Sequence, residues 1–174
     1  MNKAEIAERL KRNHLAFADF LTSLDEQKFI FSVNDKWTAG QQLDHIVRSV
    51  AAVNTGLALP KFAADLLFGK SGRVSLEYYS LVAQYRAKLA SGGKATRRFI
   101  PPAVGFARRA SLTAKLLAAV DTLGVRLNKF SEVELDEFLL PHPLLGKLTV
   151  REMLYFTIYH VEHHHRAVVE NLPS

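Results

Sequence analysis

The chain has 174 residues, 48% of them apolar and 23% charged, enough to bury one sizeable core and too few for two ordinary domains, so residues 1–174 read as a single domain. It contains no cysteine, which excludes disulfides, thiolate metal ligands and a cysteine nucleophile, and leaves only nitrogen and oxygen to hold a metal. The formal charge of +6 is compatible with an acidic partner, but the apolar runs are short and interrupted by charges, which excludes a bilayer-spanning segment.

The N-terminus carries acids where a signal peptide needs an apolar centre, so the expected address is the cytoplasm. From about Lys3 to Leu24, the residues Ile6, Leu10, Phe17, Leu21 and Leu24 recur at the period of an amphipathic helix, and residues 25–37 break it. Thr38 and Gln41 form a capping box that opens a second helix, expected to run to about Leu59, just before Pro60. Trp37 precedes the cap, where it either packs as a hydrophobic staple or lines the mouth of a pocket.

A short helical turn is expected over Lys61–Phe68 and a longer helix over Ser75–Ala90, stopped by Gly92 and Gly93. Pro101 and Pro102 mark a loop. Phe106 to about Phe130 reads as a long helix with a weak point at Gly124, and residues 131–148 as an irregular connection. A second capping box, Thr149 with Glu152, opens the last helix. No segment alternates as a strand should, so the class is all-α: four long helices in a bundle, with shorter helices in connections long enough to cross over.

The last helix carries the histidines. Val150, Leu154, Ile158, Val161 and Val168 make its apolar stripe, and His160 and His164 fall together on one margin, one turn apart, where both can reach one ion. His163 points to the far side, toward solvent, while His165 lies inside the stripe as either a core histidine or a substitute ligand. The zincin pattern is absent.

A third ligand has to come from elsewhere. His45 is the strongest candidate because it too lies on a helix, although its own wheel places it away from the apolar stripe, near Gln41, Gln42 and Ser49, which taken alone means exposed. His142, between two prolines, reads as a turn residue, and His14 as partly buried or on the surface.

Basic residues are concentrated between Lys70 and Lys115, where Glu77 is the only acid. A solvated face with a basic loop accounts for this ahead of a duplex-binding surface, because no nucleic-acid-binding motif accompanies the charge. Arg97, Arg98, Arg108 and Arg109 would attract an anionic small molecule if that region reaches a pocket. Tyr155, Phe156 and Tyr159, off the stripe centre, would suit the cover of a partner subunit in a homodimer.

The segment from Trp37 through Thr38, Gln41 and Gln42 to His45, followed about a hundred residues later by His142-Pro-Leu-Leu-Gly-Lys-Leu-Thr-Val-Arg-Glu and then His160-Val-Glu-His-His164, resembles the DinB-like superfamily of damage-inducible proteins. These are unrelated to the DNA polymerase sharing that name. The resemblance implies a four-helix bundle with up-down-down-up connectivity and a divalent metal held by His45, His160 and His164. Nitrogen ligands suit zinc, nickel, copper and iron, and zinc or nickel is the expected ion. It also implies a metal-dependent activity on a small-molecule substrate, of the thiol-dependent S-transferase type, with a low-molecular-weight thiol as co-substrate; a metal-bound water acidified toward neutral pH would instead suit a hydrolase. The other reading is a non-catalytic helical binding or dimerisation module with a structural metal.

Overall fold

The computed structural model describes residues 1–173, and its first helix, α1 (Lys3–Ser23), starts from a capping box between Asn2 and Glu5. Beyond it lie α2 (Glu26–Ile30), α3 (Ala39–Leu57), α4 (Lys61–Phe68) and α5 (Tyr78–Ala90). Two 3-10 turns, Arg97–Phe99 and Phe106–Arg108, lead into α6 (Arg109–Leu127), and α7 (Glu132–Glu137) precedes α8 (Val150–Asn171). Both capping boxes expected from the sequence form, Thr38 with Gln41 on α3 and Thr149 with Glu152 on α8.

The long helices α1, α3, α6 and α8 surround one core, in which Phe17, Leu43, Ile46, Leu116, Leu154 and Ile158 are buried. Their directions follow from which ends touch. Met1 reaches Tyr155 near the start of α8, and Phe17 and Phe20 pack on His165 near its end, so α1 and α8 run parallel. His45, early in α3, meets the late part of α8, so those two are antiparallel. Asn54, late in α3, donates to the Ala119 carbonyl, and Gly40, early in α3, lies against Val104 just before α6, so these two are parallel. The order is therefore up-down-down-up, the two downward helices being consecutive and reached by long connections.

Gly40 permits a close approach there. A Cβ at this position would stand 2.8 Å from a ring carbon of Phe29 and 3.0 Å from the Val104 side chain, tighter than packed atoms tolerate.

Several expectations need correction. Residues 131–148 are not irregular: they form α7 and an antiparallel hairpin, β1 (Leu139–His142) and β2 (Gly146–Thr149), in register Leu140 with Leu148. Four-residue strands, one containing Pro141, are too short to show alternation, and Gly146 takes the left-handed conformation (φ 76°) at the turn. Residues 25–37 likewise contain the single-turn α2, capped by Asp25. Tyr155, Phe156 and Tyr159 are buried within this chain, against α1, α5 and the hairpin, and do not form a surface for a partner. His14 is neither partly buried nor on the surface but fully buried, its Nδ1–H donating to the Leu10 carbonyl at 2.7 Å. Among the described residues, no single helix is long and apolar enough to cross a membrane.

Candidate metal centre

The antiparallel pairing of α3 and α8 brings His45, His160 and His164 together, all three buried. The Nε2 of His160 lies 3.2 Å from that of His45 and 3.0 Å from that of His164, and the three candidate ligand atoms all fall within 4.8 Å of one another. Nitrogens sharing one tetrahedral ion at ordinary metal–nitrogen distances stand about 3.3 Å apart, so the two spacings about His160 are close to those of a shared ion.

The outer nitrogens show which way the lone pairs face. His45 Nδ1–H donates to the Phe99 carbonyl at 2.7 Å, and His164 Nδ1–H donates to the amide oxygen of Gln42. In a neutral ring with Nδ1 protonated, Nε2 is an acceptor. Two lone pairs therefore point at His160 Nε2, which carries at most one proton and can satisfy only one of them; a cation satisfies all three. Burial lowers the pKa of His45, and lowers those of His160 and His164 well below the ordinary imidazole value, with neighbouring imidazoles adding to the effect. Neutral rings are the form that ligates.

Trp37 fills the pocket-lining role and not merely that of a staple: its ring sits 5.0 Å from His45 and lies nearly parallel over His164 at 6.2 Å. It belongs to the wall of a cavity of about 630 Å³ that opens onto the three histidines. The basic region reaches this cavity only in part. Arg98 and Lys94 line it; Arg97 and Arg108 are exposed elsewhere, and Arg109 is engaged with the Leu24 carbonyl and the Phe106 ring.

The remaining histidines divide differently from expectation. His163 is not solvated but half-buried, its ring 5.1 Å from His164 on the cavity wall. His165 is half-buried between Phe17 and Phe20, away from the other three. His142 is not in the turn but is the last residue of β1, and it is buried: its Nδ1 accepts the N–H groups of Leu144 and Leu145 in the turn that follows, which leaves the proton on Nε2 and no free lone pair.

Three contributors escaped the sequence reading. Gln42 was visible only as a polar neighbour of His45 on its wheel. The Phe99 carbonyl has no side-chain signal at all. Tyr85 was hidden in the Tyr78, Leu81, Tyr85 spacing of an ordinary core stripe; its ring lies 6.2 Å from His160, and burial pushes its phenol up to about 12.

The family model of the DinB superfamily matches residues 9–168 of the chain. A search of curated proteins found no match.

Proposed function

Because the chain belongs to the DinB superfamily, we propose that it binds one divalent ion, zinc or nickel, through His45, His160 and His164, and uses it in a thiol-dependent transfer to a small molecule. The observation that carries this reading is the convergence of three buried Nε2 atoms, two of them aimed by oxygens behind the rings. When bound, the metal would supply Lewis acidity, favouring the thiolate of a low-molecular-weight thiol.

The chain's own residues account for the rest of the site. Phe99 and Gln42 hold the Nδ1 protons outward, fixing tautomer and ring orientation. Trp37 packs beside two of the rings and forms the cavity wall next to them. Tyr85, protonated throughout the physiological range, is available in the cavity wall as a hydrogen-bond donor. Arg98 and Lys94 give the cavity a positive rim that favours an anionic substrate.

Elemental analysis of protein purified without a tag or nickel resin tests the metal. About one zinc or nickel per chain is expected, lost in His160→Ala; a metal-free protein that takes up neither ion would overturn the reading. Turnover of electrophiles with a low-molecular-weight thiol, present in the wild type and absent from His160→Ala, separates an enzyme from a scaffold with a structural ion.

A further inference from the structure

The cavity extends far beyond what a metal and a small thiol would fill. Along α3 its wall runs from His45 through Ser49 and Ala52 to Gly56, and along α8 from His164 to Met153. Each path covers twelve residues, eleven helical steps of about 1.5 Å, and α3 and α8 are antiparallel, so the three histidines stand at one end and Gly56 and Met153 at the other, about 16 Å away. Ser49, Ala52 and Gly56, three and four residues apart, share a face of α3, and their small side chains leave a trough. Leu140 closes its far end, where it would contact a Cβ at Gly56 at 2.9 Å. The opposite walls are Tyr85, Leu89 and Phe156.

Charge is confined to one sign. No aspartate or glutamate lines the cavity among the described residues, and its cations are Lys94 and Arg98. Arg98 adjoins Phe99, whose carbonyl holds His45, so it marks the histidine end. A volume of about 630 Å³ is that of a site for a whole organic ligand.

We infer that the ligand is a single-chain amphiphile, with an anionic head beside the three histidines and Arg98, and a straight hydrocarbon tail lying in the trough along Ser49, Ala52 and Gly56. A trough of this length takes a saturated chain of roughly ten to twelve carbons. Its role as substrate rests on the metal-dependent reading above; its binding does not.

Straight-chain carboxylates from butanoate to hexadecanoate, titrated calorimetrically into the full chain with and without zinc, test this directly. Affinity should rise about fourfold per methylene, the factor set by burying one such group, until roughly ten to twelve carbons, and then level off. Ala52→Phe, which blocks the trough halfway, should move the plateau to shorter chains, and Ser49→Leu, one turn nearer the histidines, should move it further. Arg98→Glu should weaken decanoate about tenfold while leaving decanol unchanged. Affinity independent of chain length, or plateaus that ignore the position of the block, would overturn the inference. Since the series is also read on metal-free protein, that failure is distinct from failure to bind metal.

Discussion

Behind two of the three inward-facing imidazoles stands an oxygen atom, and these oxygens decide which ring nitrogen offers its lone pair. Gln42→Leu removes one of them while keeping the side chain's bulk, so His164 loses its orienting partner. Metal affinity should fall by about ten- to a hundredfold with the helices intact, as read by competition with a chromogenic chelator; unchanged affinity would deny Gln42 that role.

His14 carries a different consequence of burial. It is fully enclosed in α1, its Nε2 has no hydrogen-bond partner, and burial lowers its pKa to about 4. The unfolded chain takes up this proton near pH 6.5 and the folded chain only near 4, so stability present above 6.5 is lost as the pH falls between those values. At pH 5 the loss from this one group is about 2 kcal/mol. His14→Leu should therefore match the wild type near pH 7 and lose less stability at pH 5, measured by urea denaturation at both. An identical pH dependence in the two proteins would mean that His14 titrates normally.

At this scale, His160 and His164 were legible because their spacing alone puts them on one helix face. His45 was not legible from its own wheel, since α3 is covered by both α6 and α8 and has no single buried side. The Phe99 carbonyl is the same backbone group at every residue, so nothing in the sequence could mark it.

Among the elements, the start of α8 does the most to position the centre's second half. Glu152 accepts the Thr149 N–H as its capping box requires, and also the Leu76 N–H at 2.7 Å, while both its oxygens meet the Arg73 guanidinium at 2.5 and 2.8 Å. One fully buried carboxylate thus fixes the helix start and pins the loop before α5 to it. Glu152→Ala leaves the Thr149 hydroxyl cap in place but deprives the Thr149 and Leu76 N–H groups of their acceptor, together costing about 3 kcal/mol. Glu152→Gln keeps the shape and one acceptor oxygen and should fall between the alanine variant and the wild type. Urea midpoints rank the three; an alanine variant as stable as the wild type would show the loop to be held by other contacts.

Element boundaries were legible where local chemistry sets them. The capping boxes of Thr38 with Gln41 and Thr149 with Glu152 announced α3 and α8 because the partners lie three residues apart in the chain, whereas those of Asn2 with Glu5 and Ser131 with Glu134 have the same spacing but open onto sequence with weaker cues and went unread. The Arg73 contact spans 79 residues and depends on packing, and the hairpin after α7 is held by cross-strand pairing and a glycine turn in strands too short for any periodicity.

For the molecule as a whole, the centre joins α3 to α8 across 115 residues of sequence. Ligands so far apart in the chain are not assembled in the unfolded state, so an ion bound to them stabilises only the fold. A free metal concentration a hundredfold above the dissociation constant adds about 2.7 kcal/mol. In a domain of this size each kcal/mol raises the melting temperature by about 2–4 °C, so saturation should raise it by about 5–10 °C. Stripping the metal with a chelator should lower the melting temperature by that amount, and adding zinc should restore it. His160→Ala should melt at one temperature under both conditions, because His45 and His164 alone do not complete the centre. If the variant shifts as much as the wild type, the ion is held elsewhere, and His163 on the cavity wall becomes the first residue to replace. If neither protein shifts, the three imidazoles are a buried neutral cluster held by packing and by the oxygens of Phe99 and Gln42.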